Sequence, residues 1–157
     1  MTTNIWINQV MKDIPQFVGV KSSDQVIKPP FFPCYTIVNF SPSFLPGTHF
    51  IVILFVKKTK CIYYDPLGIS GIPKEILDYM QKYSRDVVQI NHPIQNPISS
   101  FCGFFCMLPI LLHVNRLPIL QGIYSFKKHE MENEIKCVNL LARLFKLYYL
   151  DQVSIVE

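Results

Sequence analysis

Apolar positions along this chain change period several times, and each change marks an element. Residues 3–14 (TNIWINQVMKDI) place apolar side chains at 5, 6, 7, 10, 11 and 14. That spacing predicts a short helix with Thr3 as its cap. Residues 34–40 (CYTIVNF) read as a strand, and 49–56 (HFIVILFV) as a stronger one. The second is apolar at every position after His49, which suits a central strand covered on two sides. Residues 60–65 (KCIYYD) form another strand, and the polar turn Lys57-Lys58-Thr59 makes the two an antiparallel hairpin. Residues 73–83 suit a helix with Pro73 in its first turn and Ile76, Leu77, Met80 and Tyr83 along one side. Residues 86–91 (DVVQIN) suit a further strand.

The longest apolar run, FCGFFCMLPILLHV at 101–114, contains Pro109 and His113. It falls short of the roughly 20 residues that a membrane-spanning helix needs. A buried helix over 103–115 is expected, with Pro109 as its natural kink point. Residues 131–149 predict a long amphipathic helix whose inner stripe is Ile135, Val138, Leu141, Leu144, Phe145 and Tyr148. The sum is an α+β fold: a central mixed or antiparallel sheet with packed helices, in a single domain over 1–157.

Composition narrows the class. Half of the 157 residues are hydrophobic and 17% are charged, which marks a globular chain with a sizeable core rather than a disordered one. The cysteines stand at 34, 61, 102, 106 and 137 with no C-x-x-C pair, so no metal site is expected. The start MTTNIWINQV lacks a basic segment followed by an apolar run, so no secretory leader is expected. Free thiols in a reducing intracellular compartment follow as the expectation. A net charge of +4 permits contact with nucleic acid without demanding it.

Three features carry chemistry. A turn centred near Lys57 pairs residues whose numbers sum to about 114, and His49 and Asp65 satisfy that sum. Opposite residues of an antiparallel pair share a face, so an imidazole and a carboxylate meet at one end of the sheet. The carboxylate takes the proton on one ring nitrogen and leaves the other as a base. Second, Cys102 precedes Gly103 at the start of the long apolar helix, with Ser99 and Ser100 as caps. A helix N-terminus favours a thiolate and offers N–H groups to an oxyanion. Third, Gln95 stands seven residues before Cys102 and can donate to an oxyanion, with Asn96 as its competitor. The remaining cysteines read as small buried hydrophobes. His92, His113 and His129 read as a loop residue, a buried helix end and part of a solvated Lys-Lys-His stretch.

Taken together, G-T-H-F-I-V-I-L-F at 47–55, Y-Y-D-P-L-G at 63–68 and Q-N-P-I-S-S-F-C-G-F-F-C at 95–106 resemble the adenovirus protease (adenain) family of cysteine peptidases, in the clan shared with ubiquitin-like-protein proteases. V-M-K-D-I at 10–14, F-V-G-V at 17–20 and I-V-N at 37–39 extend the resemblance toward the N-terminus. It implies His49 as general base, Asp65 as its orienting acid, Gln95 as oxyanion donor and Cys102 as nucleophile. Gly47, Phe50 and Gly103 are the candidate substrate-binding residues. The implied reaction is peptide-bond hydrolysis near glycine through a thioester.

Three positions depart from the family pattern. Asp65 stands where adenoviral enzymes carry Glu, and is the choice of the ubiquitin-like-protein proteases. Phe50 stands where both groups carry Trp. Residues 62–101 contain no cysteine, so a disulfide-linked activating peptide is not expected. A peptide held without a disulfide, and DNA, are the candidate activators; the chemistry itself requires no cofactor.

The resemblance implies a monomer that processes capsid or core proteins of a DNA virus or virus-like mobile element, in the host nucleus or cytoplasm and in the virion. The alternatives are a deconjugating protease for ubiquitin-like proteins and an inactive structural or DNA-binding relative.

Overall fold

The protein's structure, a computed structural model, describes residues 4–39, 49–69 and 71–156, with side chains to residue 153. Among these the elements run α1 (Asn4–Val10), β1 (Phe17–Ser22), β2 (Cys34–Asn39), β3 (Phe50–Lys57), β4 (Lys60–Tyr64), α2 (Lys74–Tyr83), β5 (Asp86–Ile90), α3 (Cys102–Val114), α4 (Ile119–Tyr124) and α5 (Asn133–Val156). The strands form one sheet in chain order. β2, β3 and β4 are antiparallel neighbours, while β1 runs parallel to β2 and β5 parallel to β4. The fold is therefore α+β with a mixed sheet.

The unbroken apolar run of β3 has a direct cause: both faces of the sheet are covered. Phe50, Val52 and Leu54 join Ile62 and Tyr64 in the core beneath α3, α4 and α5. Ile51, Ile53 and Phe55 join Cys61 and Tyr63 in a smaller cluster under Ile76 and Met80 of α2. Burying each such side chain contributes about 1.5–3 kcal/mol, so the hairpin is the most heavily anchored part of the sheet. α3 is apolar all round because it lies between the sheet and α5.

Several boundaries differ from the sequence expectation. α1 ends at Val10, and a turn carries the chain on to buried Met11 and Ile14; Thr3 lies outside the described residues. β1 was not expected as a strand. Its Gly19 has φ +113°, and the pairing with β2 slips between Phe17 and Val20, so its alternation is interrupted. α4 was also unexpected. It is six residues long and holds Gly122, where a Cβ would come within 2.5 Å of a Leu112 methyl, so glycine lets it close onto α3. In α5 the inner stripe is Cys137, Leu141, Leu144 and Tyr148; Ile135 is 71% exposed and Val138 also faces outward. The true stripe lies one residue over at its start because Cys137, not Val138, meets the Phe104 carbonyl of α3.

None of the helices among the described residues is long and apolar enough to cross a membrane.

Candidate active site

His49 and Asp65 sit just beyond the paired ends of β3 and β4. The hairpin register differs from expectation. Val52 pairs with Tyr64, so partners sum to 116, and a bulge between Phe55 and Lys57 leads into Lys57 opposite Lys60. Continuing that register puts Asp65 opposite Ile51 and His49 opposite Leu67. The two are thus a diagonal pair, not a direct one. An even offset keeps alternating side chains on one face, and a diagonal neighbour is within reach of a long side chain. His49 Nε2 lies 3.1 Å from Asp65 Oδ1, both groups buried.

The carboxylate is fixed on its other side by its own loop. Asp65 Oδ1 accepts the Leu67 N–H at 2.9 Å and Oδ2 accepts the Ile69 N–H at 3.0 Å. This is an Asx-type turn, which a short acidic side chain makes and glutamate is too long to repeat. Gly68 completes it at φ +73°, and a Cβ there would strike Pro93 at 2.7 Å.

Cys102 opens α3 and is nearly buried. Its Sγ lies 4.0 Å from His49 Nδ1, the outer edge of a sulfur contact. Gln95 Nε2 donates to Sγ at 2.9 Å and to the Ser99 carbonyl at 3.0 Å. A carbonyl only accepts, so the atom facing both Ser99 O and Sγ is the amide nitrogen. Asn96 is turned away: its amide donates to the His129 carbonyl, and its Oδ1 accepts the Ile98 N–H. The helix is not capped as expected. Phe101 occupies the cap position without a side-chain bond, and Ser99 Oγ instead accepts the Phe101 N–H just upstream.

His49 is shifted up from its usual 6.5 to about 9. Burial opposes its charge, but hydrogen bonds and charge interactions with Asp65 and Cys102 outweigh that. At neutral pH the ring therefore carries a proton on each nitrogen, one toward the carboxylate and one toward the sulfur. Burial keeps the other four thiols protonated. Burial raises Cys34 to about 11 and pushes Cys61, Cys106 and Cys137 up as well, as expected for inert core residues.

So His49, Asp65, Gln95 and Cys102, spread over 54 residues of chain, converge at one end of the sheet. Of the three expected substrate-binding residues, Gly103 lies buried in the first turn of α3. Phe50 is 2% exposed and belongs to the main core, so its ring is not open to a substrate. Gly47 lies outside the described residues. Among the described residues no cluster of three metal-ligating side chains occurs. An open depression of about 830 Å³ between Ser125–Asn133 and the start of α5 contains none of the four residues.

No protein-family model matches this sequence, and no curated protein sequence does. Solved structures do. The ASFV pS273R protease superposes with a TM-score of 0.58 at 12% identity, over 80% of this chain and 62% of that one. This chain shares that protease's fold. It spans less than two thirds of that protease's length, 62%. The selenomethionine form of the same protease aligns over 61% of this chain and 40% of that one, with TM-score 0.47 and 14% identity.

Sequence reasoning overlooked one residue beside the site. His129, read as part of a solvated stretch, places its Nδ1 3.0 Å from the Gln95 carbonyl. Its signal is conformational (φ +58°), which no spacing in the sequence reveals.

Proposed function

We propose that this protein is a cysteine peptidase whose nucleophile is Cys102, with His49 as acid and base, Asp65 as orienting group and Gln95 as oxyanion donor. One observation carries the reading: a single continuous chain of contacts runs from Gln95 Nε2 to Sγ, to His49 Nδ1, and from His49 Nε2 to Asp65 Oδ1.

In this mechanism the thiolate attacks the scissile carbonyl carbon, and its electron pair moves onto the oxygen. Gln95 Nε2 and the N–H groups of the first α3 turn, which have no intrahelical acceptors, receive that oxyanion. His49 Nδ1 then gives its proton to the departing amine as the C–N bond breaks, leaving a thioester on Cys102. Water attacks the thioester, His49 takes its proton, and the acid product leaves with the thiolate restored. Asp65 holds the ring so that Nδ1 faces the sulfur throughout.

The motifs around Gly47–Phe55, Tyr63–Gly68 and Gln95–Cys106 and the fold shared with a protease support the finer reading. In it, the substrate is a polypeptide cut near glycine, a structural protein of a virus or virus-like element. A non-disulfide peptide or DNA is the proposed activator. Lys57, Lys58, Lys60 and Arg85 gather where the Thr59 carbonyl meets the Asp86 N–H, at the end of the sheet away from His49. An activator bound there would act through the strands rather than by touching substrate.

The test is hydrolysis of a peptide library containing glycine-rich sites, with and without DNA, by the wild type and Cys102→Ala. Cleavage by the wild type alone, with an unchanged circular dichroism spectrum in the variant, is the expected result. Equal cleavage by Cys102→Ala would refute the assignment.

A further inference from the structure

The loop that carries Gln95 is bound, residue by residue, to the segment between α4 and α5. His92 Nε2 donates to the Phe126 carbonyl at 2.7 Å. The His129 N–H donates to the Pro93 carbonyl at 3.2 Å. Asn133 Nδ2 donates to the Ile94 carbonyl at 2.8 Å, and to the Lys127 carbonyl at 2.6 Å. His129 Nδ1 donates to the Gln95 carbonyl at 3.0 Å, and Asn96 Nδ2 to the His129 carbonyl at 2.8 Å. Every residue from 92 to 96 thus has a partner in 126–133. From the sheet side, the Tyr64 hydroxyl donates to the His92 carbonyl at 2.9 Å.

The consequence at Gln95 is geometric. The peptide unit before its Cα holds the Ile94 carbonyl and the Gln95 N–H. Asn133 binds the first, and the second donates to the Pro66 carbonyl at 3.0 Å. The peptide unit after its Cα holds the Gln95 carbonyl, which His129 binds. A residue's φ and ψ are the rotations of these two rigid units about Cα, so pinning both units fixes both angles. The side-chain amide then starts from one fixed origin. A donor to an oxyanion needs that fixity, because its worth depends on being in place before charge develops.

We propose that His129 and Asn133 are positioning residues for Gln95, acting through its two flanking peptide units and touching neither substrate nor the reacting atoms. The proposal rests on the peptidase reading above, in which Gln95 donates to the oxyanion. His129 is exposed while Asn133 is buried, so His129 is the position to alter without risk to the core. Its φ of +58° suits glycine, and asparagine tolerates it too. His129→Gly therefore removes the Nδ1 donor while keeping the backbone bonds to Pro93 and Asn96. His129→Asn keeps an N–H donor near the position of Nδ1.

The experiment measures kcat and KM on a cleaved peptide, iodoacetamide labelling of Cys102, and amide hydrogen exchange over residues 93–96. His129→Gly should lower kcat about 10- to 100-fold with KM within about twofold, by analogy with losing a hydrogen bond that orients a metal ligand. His129→Asn should recover most of that loss. Labelling, which forms no oxyanion and feels Gln95 only through its hydrogen bond to the sulfur, should change much less than kcat, and exchange over 93–96 should quicken. In a Gln95→Ala background, His129→Gly should cost nothing further. Wild-type kcat in His129→Gly, or an undiminished further loss in the Gln95→Ala background, would overturn the proposal. If the wild type itself cleaves no peptide, the peptidase reading fails separately. Exchange then decides whether 126–133 holds the loop, and unchanged exchange in His129→Gly rejects it.

Discussion

Asp65 Oδ1 receives His49 Nε2 at 3.1 Å although the two residues stand diagonally across the end of their hairpin. The same oxygen also accepts the Leu67 N–H, and Oδ2 accepts that of Ile69. The carboxylate is thus held by its own turn as well as by the imidazole. The ring's orientation follows: Nε2 toward Asp65, Nδ1 toward Cys102.

The pH profile follows from His49. Under the proposed mechanism the imidazolium must hold a proton for the leaving amine, so kcat/KM should fall on the alkaline side near about pH 9. Asp65 is a principal cause of the upward shift, so Asp65→Asn should move that limb to lower pH. An alkaline limb at the same pH in both proteins would contradict this. The stability sign is the same. A folded value raised from 6.5 to about 9 stabilises fully below 6.5, and that contribution is lost as pH rises through about 9. Wild-type unfolding midpoints should therefore decline across this window more than those of Asp65→Asn.

Lengthening the acid should cost stability as well as rate. In Asp65→Glu the carboxylate moves beyond the turn and leaves the Leu67 and Ile69 N–H groups without their acceptor. A loss of about 1–3 kcal/mol is expected from urea denaturation. An unfolding midpoint equal to wild type would show that the turn does not depend on this side chain.

Gln95→Ala removes the donor that the proposed mechanism assigns to the oxyanion. By analogy with other single donors of this kind, kcat should drop about 100- to 1,000-fold while KM changes little. Steady-state kinetics on one peptide decides it; a change confined to KM would make Gln95 a binding residue instead.

Gly68→Ala should destabilise the protein by about 1–2 kcal/mol from its left-handed backbone alone. The clash of the new Cβ with Pro93 adds to that. Because Pro93 lies two residues before Gln95, activity should fall with stability. Thermal melts and kcat measured together test the link, and a variant with wild-type Tm and kcat would break it.

Much of this was legible along the chain. β3, β4, α2 and α3 announce themselves because burial imposes period on sequence: alternate or continuous apolar residues in strands, a one-sided stripe in α2. The four site residues stood out by type and order. The hairpin register came out two residues off because the turn falls at Lys58-Thr59, with Lys57 opposite Lys60, and the bulge between Phe55 and Lys57 takes back one residue of that shift. The pairing of His49 with Asp65 survived because the offset was even. β1 and α4 were missed where a glycine serves close approach or an unusual φ, which weakens the very pattern that marks an element.

By itself, then, the sequence determined that β3, β4, α2 and α3 carry buried faces, that the central strand is covered on both sides, and which chemical groups could react. Those properties depend on residue type and local period. The tertiary structure decided what those groups touch: which imidazole nitrogen faces the sulfur, that Gln95 rather than Asn96 reaches it, and that His129 and Asn133 hold the Gln95 backbone. Apart from that of Gln95 with Cys102, seven positions on, such contacts join residues more than 30 positions apart, and their geometry is set by loop torsions that side-chain identity does not encode.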